Sequence, residues 1–396
     1  MSAPRPGFGL GPQLWSAISC LMILGVLFVY SATMANESTG ALPWYRQYWF
    51  KQIVWYVMGG GLAFAVCLVD YRRLSRWAFV LYWATILLTI LVLVPSIGKS
   101  ALGARRWIEV GGFQLQPSEF AKIAFILALA HFLGRPPEEM RRPSVFFAAL
   151  GMTLLPFGLI ALEPDLGSAL VFLPVCLCLL HVAGAPRRYL LRLVGLAVLG
   201  AGLIVTDVLF APAKWQFKLA EYQRQRLWTY FGRDFDMPNT SDADRLKLQR
   251  DKAYNVQQSL ISVGSGGLLG KGWKQGTQNS LGFLPRAVAH NDFIFSVIAE
   301  EKGFLGSVIV LTLYTVVLFT GIRIADEARD RLGKLLAVGV VVLLFSHVFI
   351  NIGMNIRIMP VTGVPLPLLS YGGSSVLCSL IALGVLHNIH IYRRSY

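Results

Sequence analysis

Apolar runs of about 18 residues or more recur along this chain, each long enough to cross a hydrocarbon core of about 30 Å. Charged residues make up only 14% of its 396 positions and hydrophobic ones 55%, with a mean hydropathy of +0.57. Soluble domains carry about a quarter charged residues. The chain therefore reads as an all-α polytopic membrane protein. Ten transmembrane helices are expected, over 13–33, 51–69, 77–97, 118–133, 143–162, 166–183, 189–208, 293–320, 335–355 and 371–390, in one membrane domain over 1–396. The first run is too long for a signal-peptide core and has no A-x-A site, so it is expected to stay as helix 1.

Short loops orient the chain, because Lys and Arg accumulate on the cytoplasmic side. "DYRRLSR", "GRPPEEMRRP", "GAPRRYLLR", "GIRIADEARDRLGK" and "IYRRSY" are Arg-rich, whereas "EPD" and "PVTGVPLPLLS" contain no Lys or Arg. Both termini are then cytoplasmic. One long extracytoplasmic loop, 209–291, separates helices 7 and 8 and holds twelve Lys/Arg against six acids. Loops beyond about 60 residues escape the charge rule. The net charge of +15 is thus partly a topology signal, and no nucleic-acid partner is implied. The basic aromatic start of this loop and its end at 254–283 are expected to pack on the membrane domain, with a mobile polar middle at 234–252.

Cys20, Cys67, Cys176, Cys178 and Cys378 all lie in apolar runs without zinc spacing and read as small buried hydrophobes. "GSGGLLGKG" fails as a phosphate loop, since Ser265 and Gly272 stand where Gly and Ser/Thr are needed. Backbone flexibility or close approach to a ligand is the better reading of its glycines.

Four constellations put chemistry at the outer side. In "GARRWIEVGGFQLQPSEFAK", Pro117 suits the first helical position, with Glu119 in the first turn and Lys122 three residues on, on the same face. Capping explains Glu119 equally well; the pair either neutralises itself or grips a polar ligand. In "LEPDLGSAL", Pro164 starts a helix with Asp165 in its first turn, or the segment is only a tight turn. In "HNDFIFSVIAEEKG", Asn291 is a good N-cap and Asp292 a good first-turn acid. Residues 303–320 could span alone, or 293–320 could be one tilted helix; either way Asp292 lies outside, near the headgroups. In "MPVTGVPLPLLSYGGSS", three prolines with Ser370 and Tyr371 give non-helical backbone, tolerated at membrane depth where it is buried in protein or lines a polar cavity.

These motifs, with "GKGWKQGTQNSLGFLP", resemble in order and over nearly the whole chain the SEDS family of shape, elongation, division and sporulation proteins. "GKGWKQGTQ" and "NIHIYRR" look more like its elongation members, which shape rods, than its division members. The resemblance implies a peptidoglycan glycosyltransferase that polymerises lipid II with a class B penicillin-binding protein and the elongation machinery in a bacterial inner membrane. It places the family's essential acid at Asp292 and its "PSE..K" pair at Glu119 and Lys122. Arg106, Trp107, Gln116 and Ser118 of the same motif, with His290, Ser370 and Tyr371, are the further candidate substrate contacts. Departures are Arg286 where Glu is usual, the "AVA" that lengthens the link to Asp292, Glu163 in place of Gln, and Arg357 in place of a small residue.

Polymerisation requires a sugar hydroxyl to attack an anomeric carbon bearing a lipid diphosphate. That hydroxyl needs a base, and Asp292 is placed to serve. The departing diphosphate needs a cation: Lys122, Arg106 or a divalent metal ion (Mg or Mn), no other cofactor being implied. A lipid II flippase or a non-catalytic scaffold of the wall machinery are the alternatives. The flippase needs charges reaching both leaflets, and the scaffold needs no polar cavity.

Overall fold

A computed structural model describes every residue except 1–9, 35–41, 96, 102–103, 111–112, 137, 211–223, 225–226, 229, 232–241, 285–287 and 394–396. The helices run α1 Leu10–Met34, α2 Tyr48–Leu68, α3 Tyr71–Arg76, α4 Ala78–Leu93, α5 Pro117–Leu133, α6 Pro143–Leu162, α7 Leu166–Leu170 and α8 Phe172–Val182. They continue as α9 Arg187–Phe210, α10 Asp242–Ser265, α11 Thr277–Ser280, α12 Ile294–Asp326, α13 Arg331–Asn355 and α14 Gly373–Tyr392. Every expected apolar run coincides with a helix, α7 and α8 together serving for 166–183. Seven of them (α1, α2, α6, α9, α12, α13 and α14) are long and apolar enough to cross a membrane, while Ala78–Leu93 and Leu166–Val182 are shorter apolar helices. The chain is a multi-pass membrane protein.

One element departs from the helical pattern. Between α4 and α5 the chain forms a small antiparallel sheet, β1 Gly98–Ala101, β2 Ala104–Val110 and β3 Phe113–Leu115, in the order β1-β2-β3. Its register pairs Lys99 with Trp107 and Glu109 with Gln114. Alternating "RRWIEV" carries this strand signal, but the run is short enough to read as a loop.

Burial separates the helices into centre and edge. In α13 and α14, 78% of the apolar window is buried, against 11% in α9. On α9, Leu191, Leu196 and Val198 are exposed. Such a surface suits lipid tails, which are as apolar as leucine. Small residues let the central helices close up, as where Gly384 of α14 meets the Ala63 backbone of α2. At one end of the bundle, Asn388 donates to the carbonyls of Val66 (2.7 Å) and Val69 (2.6 Å), and Arg72 pairs with Asp330 at 2.8 Å.

Of the forms its sequence allowed, α12 is nearer the one in which 303–320 stands apart from the residues before it. It breaks at Gly303, whose φ of 64° and ψ of −158° lie far from helical values. The glycine-rich loop fills the break. Phe304 and Leu305 N–H donate to the carbonyls of Gly267 and Leu268, and Lys271 and Gly272 N–H donate to those of Glu300 and Glu301. A Cβ on Gly270 (φ 82°) would come within 2.2 Å of the Glu301 carbonyl oxygen. Here the close approach made possible by glycine is to the chain's own backbone rather than to a ligand. Glu300 is buried and accepts from Lys271 Nζ (2.7 Å), Thr277 Oγ1 (3.1 Å) and the Gln278 N–H (2.9 Å). Glu301 accepts from Ser31 Oγ of α1 at 2.5 Å. The charges of "EEK" thus pin the loop's end to the membrane helices, as expected for 254–283. Most of the basic aromatic segment lies outside the described residues. So does 234–241, and 242–252 forms the start of α10.

Candidate functional site

The opposite end of the bundle gathers the starts of α5 and α7 with residues 288–293 and 356–372. Asp292 does not cap a helix. The N-cap of α12 is Phe293, and neither Asn291 nor Asp292 occupies the position its sequence suggested. The half-buried Asp292 carboxylate comes close to Gly363, where an added Cβ would sit 3.5 Å from Oδ2. Gly363 has φ 76°, so a side chain there would strain the backbone beside the carboxylate.

Two asparagines of α13 hold the Asp292 backbone. Asn351 Nδ2 donates to the Asp292 carbonyl at 3.0 Å and Asn355 Nδ2 at 3.1 Å. Asn351 also donates to the Val364 carbonyl at 2.8 Å. Both are fully buried. The sequence reading missed them. Their signal was two amides four residues apart in an otherwise apolar helix, where each must find a partner.

His290, Ser370 and Tyr371 meet beside Asp292, chiefly as framework. Ser370 Oγ donates to the Asn291 carbonyl (2.5 Å) and accepts from the Leu366 N–H (2.8 Å). Tyr371 N–H donates to the His290 carbonyl at 2.9 Å. The rings of Tyr48, His290 and Tyr371 pack at centroid distances of 4.5–5.5 Å. Burial pushes the Tyr371 phenol up to about 12, with Tyr48 adding to the rise, so it stays a proton donor at neutral pH.

Pro117 does open α5 at its first position, with Glu119 in the first turn. Lys122 Nζ lies 2.7 Å from Glu119 Oε1, and both side chains are almost fully buried. The two side chains form an ion pair with each other. A third member was missed: His347 Nε2 of α13 stands 2.9 Å from Lys122 Nζ. Since the ammonium can only donate, Nε2 accepts. His347 also hydrogen-bonds the Pro365 backbone. Ser118 is buried with no partner for its hydroxyl.

A second cluster joins the sheet to the α6–α7 turn. Arg106 donates to the carbonyls of Glu163 (3.4 Å) and Pro164, and lies 3.7 Å from Asp165 Oδ1. Gln116 Nε2 donates to Asp165 Oδ2 at 3.0 Å. Asp165 is the N-cap of α7, accepting from the Ser168 N–H, rather than a first-turn residue. Trp107 follows Arg106 on β2, and strand alternation turns it to the opposite face. It is the sequence candidate that this cluster leaves out. Arg357 is exposed at φ 59°, and Arg286 lies outside the described residues. Among the described residues no three His, Cys, Asp or Glu side chains gather as metal ligands, so the divalent ion considered above has no protein-only site there.

Glu163 lies in the turn after α6, fully buried, with neither carboxylate oxygen hydrogen-bonded. Burial, then the neighbouring Asp165 charge, pushes it from 4.5 up to about 8, against the opposing pull of Arg106. Between those values the folded protein holds a proton that the unfolded chain has released. Stability from this group is therefore highest below about pH 4.5, falls as pH rises to about 8, and levels off beyond. Glu163→Gln should flatten that slope and stabilise the protein at pH 8 by an amount on the order of a few kcal/mol. Thermal unfolding from pH 5 to 9 checks this, and parallel curves for the two proteins would contradict it.

Residues 12–395 match the family described as cell cycle protein FtsW/RodA/SpoVE. The peptidoglycan glycosyltransferase MrdB of Escherichia coli K12 is 37% identical over 376 residues, covering 94% of this chain and 93% of that protein. A chain from a peptidoglycan synthase complex that coordinates polymerization and crosslinking superposes with a TM-score of 0.74 at 31% identity, covering 97% of this chain and 98% of that one. The rod shape determining protein RodA of Thermus thermophilus gives 0.65 at 30% identity, covering 99% of both chains.

Proposed function

This chain belongs to the FtsW/RodA/SpoVE family, and we propose that it is a peptidoglycan glycosyltransferase of the elongation type in which Asp292 is the general base. The observation that carries the assignment is Asp292 itself. Its backbone is clamped by Asn351 and Asn355, and its carboxylate faces Gly363 at the end where the starts of α5 and α7 meet residues 288–293 and 356–372. On this reading 1–396 acts as one membrane domain with both termini cytoplasmic, so that this end faces outward. Lipid II reaches it from the outer leaflet, its polyprenyl tail lying between helices. The acceptor hydroxyl gives its proton to Asp292 as its oxygen bonds the anomeric carbon, and the bond to the lipid diphosphate breaks with the electron pair leaving on the diphosphate.

Arg106 is the cation assigned to the departing diphosphate. Its guanidinium can pair with phosphate oxygens bidentately while Asp165 fixes its position. Glu119, Lys122 and His347 hold 364–365 against α5 and so support the wall beside Gly363. The partner is a class B penicillin-binding transpeptidase, working within the elongation machinery. Purified protein with that partner should convert fluorescently labelled lipid II to a ladder of glycan on a gel. Movement of lipid II across a vesicle bilayer without any ladder would overturn the reading in favour of a flippase.

A further inference from the structure

The clamp on Asp292 continues into the outer loop. Asn355 has an amide oxygen and an amide nitrogen, and the direction each faces is set by its partners. Ser296 Oγ, in the first turn of α12, donates to Asn355 Oδ1 at 2.6 Å. Ser259 Oγ, on the loop helix α10, lies 2.6 Å from Ser296 Oγ and within 3.1 Å and 3.3 Å of the Asn355 backbone and amide oxygens. Asn355 Nδ2 is left to point at the Asp292 and Asn351 carbonyls. Were the amide reversed, its oxygen would face two carbonyl oxygens and its nitrogen two hydroxyls. The side chains of Ser259, Ser296, Asn351 and Asn355 are all fully buried, so water cannot substitute for a missing donor.

We propose that Ser259 is a positioning residue for Asp292, through which the outer-loop helix α10 sets the orientation of the Asn355 amide and so the placement of the base. The chain of bonds runs Ser259, Ser296, Asn355, Asp292, and crosses from α10 to α12 to α13 and back. A shift of α10 removes one hydroxyl from the oxygen side of the amide and loosens the clamp at its far end. The loop thereby acts on the reaction without touching substrate. A misplacement of about 1 Å in a reacting group is enough to cost a hundredfold in rate, so a modest loosening is measurable.

This rests on Asp292 being the base, and the two ideas fail differently. Polymerisation of fluorescent lipid II by the protein with its transpeptidase partner is measured for Ser259→Ala, Ser296→Ala, the pair together, Ser259→Thr and Asp292→Asn. Ser259→Ala should lower kcat about tenfold with KM within about twofold and thermal unfolding little changed. Ser259→Thr, which keeps the hydroxyl, should recover most of that loss. Ser296→Ala should show the same split, and the double variant should be little worse than either single, because both act through one amide. A kcat within twofold of the wild type in Ser259→Ala, fully additive losses, or losses confined to KM would overturn the positioning role. Full activity in Asp292→Asn would remove the base assignment and the positioning role with it, whereas an inactive Asp292→Asn beside a normal Ser259→Ala removes only the latter.

Discussion

Asp292→Asn should reduce lipid II polymerisation by at least about a hundredfold, since positioned general bases contribute roughly 10²–10⁴ to rate. The replacement is almost isosteric and leaves every backbone bond in place. The Asp292 carbonyl still accepts from Asn351 and Asn355, and its N–H still donates to the Val288 carbonyl. Thermal unfolding and binding to the penicillin-binding partner should therefore stay close to those of the wild type. The loss should sit in kcat, because an amide fills the carboxylate's volume but cannot take the acceptor's proton. A glycan ladder of near-normal intensity from this variant would sink the assignment. Gly363→Ala offers an independent approach to the same carboxylate: its Cβ would sit 3.5 Å from Oδ2 on a backbone at φ 76°, and activity should fall more than stability.

How much of this was legible in the sequence differs by element. The helices α1, α2, α4 to α9 and α12 to α14 announce themselves because a span needs a long apolar run, and few other structures tolerate one. The break at Gly303 was half visible: charges before it made a continuous span awkward, but only the backbone of 266–272 shows what satisfies the opened carbonyls. The sheet at 98–115 was not legible, since its strands are short and carry glycine and polar residues. In the site, charged residues were easy to find because charge in an apolar chain needs a reason. The roles were harder. Ser370 and Tyr371 stand out as polar residues in a string of letters, but the bonds of the Ser370 hydroxyl and the Tyr371 N–H to the Asn291 and His290 backbone need the fold to be seen. Asn351, Asn355 and His347 went unnoticed because they are uncharged polar residues on a helix otherwise committed to the core. Their meaning depends on pairs separated by about 60 to 225 positions, such as Asn351 with Asp292 and His347 with Lys122.

Glu119 and Lys122 should behave as one unit rather than as two residues. Their charged atoms lie 2.7 Å apart at 2–3% side-chain exposure, and Lys122 also reaches His347. Removing one partner leaves the other charge buried and uncompensated, a loss of about 3–5 kcal/mol. Glu119→Ala and Lys122→Ala should each lower the unfolding temperature sharply and abolish polymerisation through misfolding at growth temperature. In the double variant no charge is stranded. His347 then loses a hydrogen-bond donor but keeps its bond to the Pro365 backbone, a smaller deficit of about 1–3 kcal/mol. The double variant should therefore be no less stable than either single and should regain folded protein in the membrane. Its activity should recover only in part, since the segment running to Gly363 has lost one of its supports. A double-mutant cycle on unfolding in detergent reads the coupling directly. Losses that simply add would mean that the two charges do not depend on each other, and would break the link from α5 through His347 to the wall of the site.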